Sequence, residues 1–338
     1  MTKATFLMTA YNSRKTIAEA VYSVLKQSYS EFQFIIVDDA STDDTADIIT
    51  SIKDSRIQLV RNKKNLYIPD AANAGLAKIE TPYMLRIDSD DICLPNRLQL
   101  QLDYMEKHPQ TGVCGSFIHF FGNKNVNWIM PCINFEIKAY MLFNNCFANS
   151  SVMVRMDVLK QHNLSYRNAY LYPPMEDYDL WLRMMPHTEF ANLPEVLVKK
   201  RWHKDSMSVI YYSQSWHKLD DFFNEHLLGL GFELNAREVD IHTLFSTNLK
   251  GENLSIKPAE FAAYFEKIMA QAELTSLLDK DALRKICIKK WMLLTENINP
   301  VQFDKIREHL RLTKQLFGEN MWGYFVKKKI RQVVSTSS

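Results

Sequence analysis

The sequence predicts an α/β fold: a mostly parallel sheet flanked by helices, followed by a helical C-terminal extension. Three observations predict it. Short apolar runs alternate with amphipathic stretches through the first hundred residues. Strand signals fade after about residue 210. The segments beyond that point carry apolar residues at helical spacing. Strand and helix in strict alternation call for a parallel sheet, because parallel neighbours need a crossover connection.

The elements follow in order. "ATFLMTAY" is a short apolar run that reads as a buried strand. "SRKTIAEAVYSVLKQS" then sets Ile17, Ala20, Val21, Val24 and Leu25 at helical spacing. "FQFIIVDDAS" is a second strand ending in acids, and "STDDTADIITSIK" a helix with Ser41 or Thr42 as its expected N-cap. "RIQLVRN" is a third strand, "IPDAANAGLAKI" a short helix and "YMLRIDSDD" a fourth strand. Next come a helix in "RLQLQLDYMEKH", with Pro95 suited to its first position, and a strand in "VCGSFIHFF". "SSVMVRMDVLK" runs from strand into helix, "EDYDLWLRMM" is a helix and "EVLVKKRWH" a strand. "SWHKLDDFFNEHLLGL", "PAEFAAYFEKIMAQAEL" and "DALRKICIKKWMLL" are amphipathic helices. The expected divisions are residues 1–95, 96–210 and 211–338.

Bulk properties narrow the function. A net charge of +2 on 338 residues gives no field that calls for nucleic acid. The five cysteines are scattered without a C-x-x-C pair, which argues against a disulfide framework or zinc site and fits a reducing cytosol. "MTKATFLMTAYN" is interrupted too soon for a signal peptide, and no run approaches the roughly 20 apolar residues of a membrane span. The expectation is a cytoplasmic protein, with peripheral attachment to the inner face of the membrane left open.

Ligands of such sheets bind beyond the carboxyl ends of the strands. Here that edge carries Thr9, Ala10, Tyr11 and Asn12, then Asp38 and Asp39, then Asp88, Ser89, Asp90 and Asp91. One aspartate after the second strand would cap a helix; two ask for more. Three in "DSDD" repel, each pair about 5 Å apart costing about 3 kcal/mol at an effective dielectric of 20. Asp91 can open the turn ahead of Pro95, whereas Asp88 and Asp90 suit a hard cation, Mn2+ or Mg2+, that takes further oxygens from a diphosphate. In "MEDYDLWLRM", Glu176, Asp177 and Asp179 either complement a helix dipole or place a general base by an acceptor hydroxyl, with Leu180, Trp181 and Met184 toward the core. In "KKRWHKDSMS", Arg201 and His203 are either surface residues or partners of a phosphate or metal.

With these pieces in order, the chain resembles the family 2 inverting glycosyltransferases of the GT-A fold, over about residues 3 to 210. The likeness rests on "TAYN", "VDDASTDDT", "NAG", "RIDSDDICLPNRL" and "EDYDLWLRM" in the family's order. It implies a nucleotide-sugar-binding half in 1–95 and an acceptor-binding half in 96–210. Thr9 and Asp39 match positions that contact the base, Asp88 the one near the ribose, and Asp90 the metal-binding residue of the D-x-D. Asp177 matches the general base, and His203 a late histidine near diphosphate or metal. Ala10, Tyr11, Asn12, Asp38, Asn73, Ser89 and Arg201 join the expected nucleotide-sugar site; Glu176, Asp179, Trp181 and Asn149 the acceptor or donor-sugar region. The implied reaction is one in-line, inverting displacement from a nucleotide-sugar, UDP by expectation, to a glycan or lipid-linked acceptor in surface-polysaccharide synthesis.

Two departures stand out. Ala71 and Ala72 precede Asn73 where many members carry an arginine, and Asn149 stands where many carry a histidine. The Q-x-x-R-W signature of processive synthases is absent, so single-sugar addition is expected. In the C-terminal third, "MWGYFVKKKIRQVV" combines aromatic and basic residues, as a helix on an anionic membrane surface or a packed terminal helix would. A nucleotidyltransferase would ordinarily show a Gly-rich loop after the first strand, and "LMTAYNSRKT" has none. A silent sugar-nucleotide binder remains the other alternative.

Overall fold

A computed structural model of the chain describes residues 2–168, 175–202, 219–247, 257–297 and 311–316. His203 and the basic aromatic segment at 321–334 lie outside the described residues. The chain divides into two units: residues 1–141 with 145–219, and residues 142–144 with 220–338.

In the first unit β1 (Ala4–Ala10), β2 (Phe32–Asp38), β3 (Ile57–Arg61) and β4 (Tyr83–Asp88) form the parallel set that strand–helix alternation predicts, in the order β3-β2-β1-β4. The helices between them are α1 (Ile17–Leu25), α2 (Thr45–Ser51) and α3 (Tyr67–Leu76). Helix α1 buries Ile17, Ala20, Val21 and Val24, the stripe read from the sequence. A Cβ on Gly75 would run into the side chains of Leu7 and Val37, so glycine in "NAG" lets α3 lie close on the sheet. Phe6, Phe34, Ile36, Leu85 and Ile87 fill the core with Leu98 and Met153.

Two expected starts shift. Helix α2 begins at Thr45, not after Ser41 or Thr42. Those two residues are held by Asn12 instead: its N–H donates to Ser41 Oγ (3.0 Å) and its Oδ1 accepts from the Thr42 N–H (2.8 Å). Asp43 then accepts from the Thr45 N–H at 3.0 Å, taking over part of the capping. Helix α4 (Arg97–Lys107) has Asn96 at its N-cap, so Pro95 falls before the helix rather than in its first turn.

Beyond β4 the sheet turns mixed. β8 (Met153–Arg155) is antiparallel to β4 and to β6 (Thr111–Gly122), and β9 (Glu189–Trp202) is parallel to β6. β7 (Val126–Trp128) pairs with β6, and the two-residue β5 (Ile92–Cys93) pairs antiparallel with β9. Between Leu193 and Val196 the β9 register slips by two residues against β6, a bulge that accommodates Pro194, which has no N–H for the ladder. Helices α5 (Asn134–Met141), α6 (Met156–Gln161) and α7 (Glu176–Met184) complete this unit.

The second unit holds α8 (Leu219–Gly229) from its second residue on, with α9 (Ala236–Thr247), α10 (Pro258–Leu274) and α11 (Lys280–Asn297). Phe222, Phe245, Phe261, Phe265 and Trp291 are buried there. Buried His242 lies within hydrogen-bond distance of the Tyr264 hydroxyl (2.6 Å) and the Leu142 carbonyl (2.8 Å). Burial holds its pKa down at about 3, so it stays neutral.

Candidate active site

The parallel register brings the expected edge together. Ala10 stands opposite Asp38, and Thr9 opposite Asp88. Just beyond the strands, Asn12 (φ 50°) and Ala40 (φ 60°) take left-handed backbone, which is unusual for residues other than glycine and costs order 1 kcal/mol or more at Ala40. Both turns are pinned: Asn12 bonds across to Ser41 and Thr42, and the Ser13 and Ser89 hydroxyls meet at 2.8 Å. Tyr11 is exposed beside them.

The two acids after β2 have different surroundings. Asp39 is buried and accepts from Asn62 Nδ2 (2.7 Å) and from the Leu66 N–H (3.0 Å), fixing the loop between β3 and α3. Asp38 is fully buried: Oδ1 accepts from the Ser41 N–H at 3.3 Å, and Oδ2 has an ion-pair contact with Arg61 Nε at 3.4 Å. Asn73 spends both ends of its amide on the backbone of Tyr166, at 2.8 and 3.0 Å.

The "DSDD" turn has a balancing charge that sequence reasoning missed. Lys200 on β9 lies 3.1 Å from Asp88 Oδ2 and 3.3 Å from Asp91 Oδ2. The Arg201 N–H donates to Asp91 Oδ1 (2.8 Å), and Arg201 Nε donates to the Asp90 carbonyl (3.1 Å). Arg201 also pairs with Glu19 at 2.6 Å. Pairing of β5 with β9 delivers both cations, since Ile92 lies opposite Lys199. Burial would raise Asp88, but Lys200 and then Arg86 outweigh it and hold its pKa at about 2. Asp91 has no exposed surface; burial raises it to about 6 despite Lys200, with Asp88 and Asp90 adding to the rise.

Helix α7 presents acids of another kind. Glu176, Asp177 and Asp179 all lie in its first turn, where they complement the helix dipole, and all are buried, which sets them apart from solvated capping acids. Asp177 accepts from Asn145 Nδ2 (3.2 Å) and the Tyr178 N–H (2.7 Å). Burial raises its pKa to about 6 against those two hydrogen bonds, and the charge on Asp88 pushes the same way. Burial followed by repulsion from Asp177 takes Glu176 to about 8. Asp179 is committed to Arg183 (2.6 Å) and Arg167 (3.5 Å). Trp181 is fully buried, edge-on to Phe147. Asn149 opens a turn of 3-10 helix, Asn149–Ser151, whose Ser150 hydroxyl accepts from the Asp88 N–H at 3.2 Å. Asn145 is a second residue the sequence did not flag.

Among the described residues no group of three or more His, Cys, Asp and Glu is arranged to hold a metal. The available donors are oxygens: Asp88 and Asp90 reach solvent in part, while Asp91 is buried and engaged by Lys200 and Arg201. Such a set fits Mg2+ or Mn2+ when substrate phosphates supply further ligands.

The description "Glycosyl transferase family 2" belongs to the family model that matches residues 5–162, covering β1 through α6. The amylovoran biosynthesis glycosyltransferase AmsE of Erwinia amylovora is 31% identical over 209 residues, 60% of this chain and 77% of AmsE. The chain belongs to glycosyl transferase family 2. A further Escherichia coli relative is the UDP-Glc:alpha-D-GlcNAc-diphosphoundecaprenol beta-1,3-glucosyltransferase WfgD, 27% identical over 236 residues, 68% of this chain and 90% of WfgD. Among solved structures, S. aureus TarS 1–349 in complex with UDP-GlcNAc superposes with a TM-score of 0.59 at 18% identity, over 94% of this chain and 92% of TarS. That likeness shows the GT-A fold. The family 2 enzyme is a glycosyltransferase whose strand-edge acids lie where the sheet topology predicts a ligand.

Proposed function

We propose that this family 2 enzyme moves one sugar from a UDP-sugar to a hydroxyl of a lipid-linked glycan, inverting the anomeric carbon, in the synthesis of a surface polysaccharide. The observation that carries the reading is the contrast between Asp88 and Asp177. Asp88 is held ionised by Lys200 and Arg86, as suits a group that accepts hydrogen bonds from a ribose. Asp177 is buried with neutral donors around it and a pKa raised to about 6. It is ionised at neutral pH yet basic enough to take a proton from an attacking hydroxyl, the balance a general base needs. The amylovoran biosynthesis of AmsE and the diphosphoundecaprenol acceptor of WfgD support the surface-glycan setting, and the UDP-Glc of WfgD and UDP-GlcNAc of TarS support the donor.

In this reading Thr9, Ala10, Tyr11, Asn12 and Ser89 line the nucleotide side, with Asp38 and Asp39 fixing the loops around the base. Asp90 would hold a Mn2+ or Mg2+ ion together with the donor diphosphate, beside Asp88 at the ribose. Such an ion, when bound, neutralises charge that develops on the leaving diphosphate. Arg201 steadies the turn that carries Asp90. Glu176 keeps its proton near neutrality and offers a hydrogen bond to a sugar hydroxyl. A lipid-linked acceptor implies work at the cytoplasmic membrane surface. Among the described residues no helix is long and apolar enough to cross a membrane.

The test is a thermal-shift panel of nucleotide-sugars with and without Mn2+, followed by transfer to a lipid-linked acceptor. The expected result is stabilisation by UDP-sugars and turnover to a product of inverted configuration. Stabilisation without turnover on any acceptor would instead favour a silent sugar-nucleotide binder.

A further inference from the structure

Near the acids of α7 lies a buried polar atom without a partner among the described residues. Tyr166 is buried, and its hydroxyl has no hydrogen-bond partner among the described residues. Buried Arg86, whose guanidinium carbon lies 5.9 Å from the Tyr166 ring centroid, leaves its Nε likewise unpartnered. Nearly all buried polar groups in folded proteins are satisfied, so two orphans on neighbouring side chains call for a reason. The Tyr166 backbone is not loose: the Asn73 amide grips both its N–H and its carbonyl, at 3.0 and 2.8 Å. A residue whose backbone is held this firmly, with its hydroxyl unmet, is placed for a partner that arrives later.

The location says what arrives. Arg86, beside the Tyr166 ring, lies 3.8 Å from Asp88 on the nucleotide side. Glu176 and Asp177 of the acceptor side are near enough to act on the phenol electrostatically. In an in-line displacement the transferred sugar lies between the leaving diphosphate and the general base. We propose that the Tyr166 hydroxyl hydrogen-bonds a hydroxyl of that sugar and helps select which nucleotide-sugar is used. The proposal rests on the donor assignment above. Burial pushes the phenol well above its ordinary pKa, so it remains a neutral group able to donate. Asn73 is the corresponding positioning residue, acting through the Tyr166 backbone.

Tyr166→Phe removes only the orphan oxygen, which makes the test two-sided. The free variant should melt within about 2 °C of wild type, or higher, because no bond inside the protein is lost. Calorimetry should find the affinity for bare UDP within about twofold of wild type. Affinity for the UDP-sugar that wild type binds best, chosen from a panel including UDP-glucose and UDP-GlcNAc, should fall by about tenfold or more. Asn73→Ala should weaken the UDP-sugar in the same direction while also lowering the melting temperature. Unchanged UDP-sugar affinity, an equal loss for UDP and UDP-sugar, or a melting point lowered by more than about 5 °C in Tyr166→Phe would each overturn the proposal. Failure of wild type to bind UDP would overturn the donor assignment itself, and the two failures are told apart by that control.

Discussion

Asp88 and Asp177 are the same side chain in two surroundings, and they differ in their neighbours. Asp88 has Lys200 at 3.1 Å and Arg86 at 3.8 Å, and its pKa is held at about 2. Asp177 has an asparagine amide and a backbone N–H, and its pKa rises to about 6. Asp91 marks the boundary: it shares Lys200 but is fully buried, and burial wins. A fixed carboxylate therefore needs enough cationic charge to outweigh burial, here Lys200 with Arg86, whereas one suited to proton transfer needs neutral donors and dry surroundings.

The comparison can be broken most sharply by Asp177→Asn. Transfer should fall by about 100-fold or more, the usual share of a general base, while calorimetry finds donor binding within about twofold of wild type. Normal turnover would refute the assignment. Lys200→Met attacks the other side. It strands Asp91 in the interior and should lower unfolding stability in urea by about 3 kcal/mol, the low end for a broken buried pair because Asp88 and Lys200 keep some solvent. Adding Asp91→Asn to it should restore part of that loss; no restoration would mean that Lys200 acts elsewhere.

The pH dependence sharpens the contrast. Transfer should rise with pH through about 6 as Asp177 ionises, then level off. Its raised pKa means that the folded state binds more protons than the unfolded state between about 4 and 6. Stability from this group is therefore present at acid pH and lost as pH rises through that window. Asp88, depressed to about 2, works oppositely: its contribution is present above about 4 and lost as pH falls toward 2. Relative to Asp177→Asn, wild type should gain stability when acidified from pH 7 to about 4, read from urea midpoints. The smallest effect belongs to Asn145→Ala, which removes a donor that favours the ionised form. The acid limb of the pH–rate profile should move upward, with less than a tenfold loss at pH 8.

What the sequence disclosed and what it hid separate along the same line. The parallel half was legible, because its strands are apolar runs and the helix stripe of α1 is regular. The edge acids were legible because topology alone sends strand ends to one side. Lys200 was not: it stands 112 residues from Asp88 and reaches it only because the two-residue β5 pairs with β9, which no periodicity announces. Helix α7 was found, but spacing left open whether its acids complement a dipole or form a site, and only the fold shows Glu176, Asp177 and Asp179 buried alike. Asn73 carried a motif position, yet its use is a grip on Tyr166, 93 residues away.

The central claim is that cation supply, not residue type, sets the two carboxylates apart. It is tested most directly by following aspartate side-chain carboxyl carbons by NMR from pH 3 to 8, assigned with Asp88→Asn and Asp177→Asn. The account predicts that the Asp177 signal titrates near 6, while the Asp88 signal stays ionised down to the lowest pH at which the protein remains folded. Both signals titrating together near 4 would contradict it.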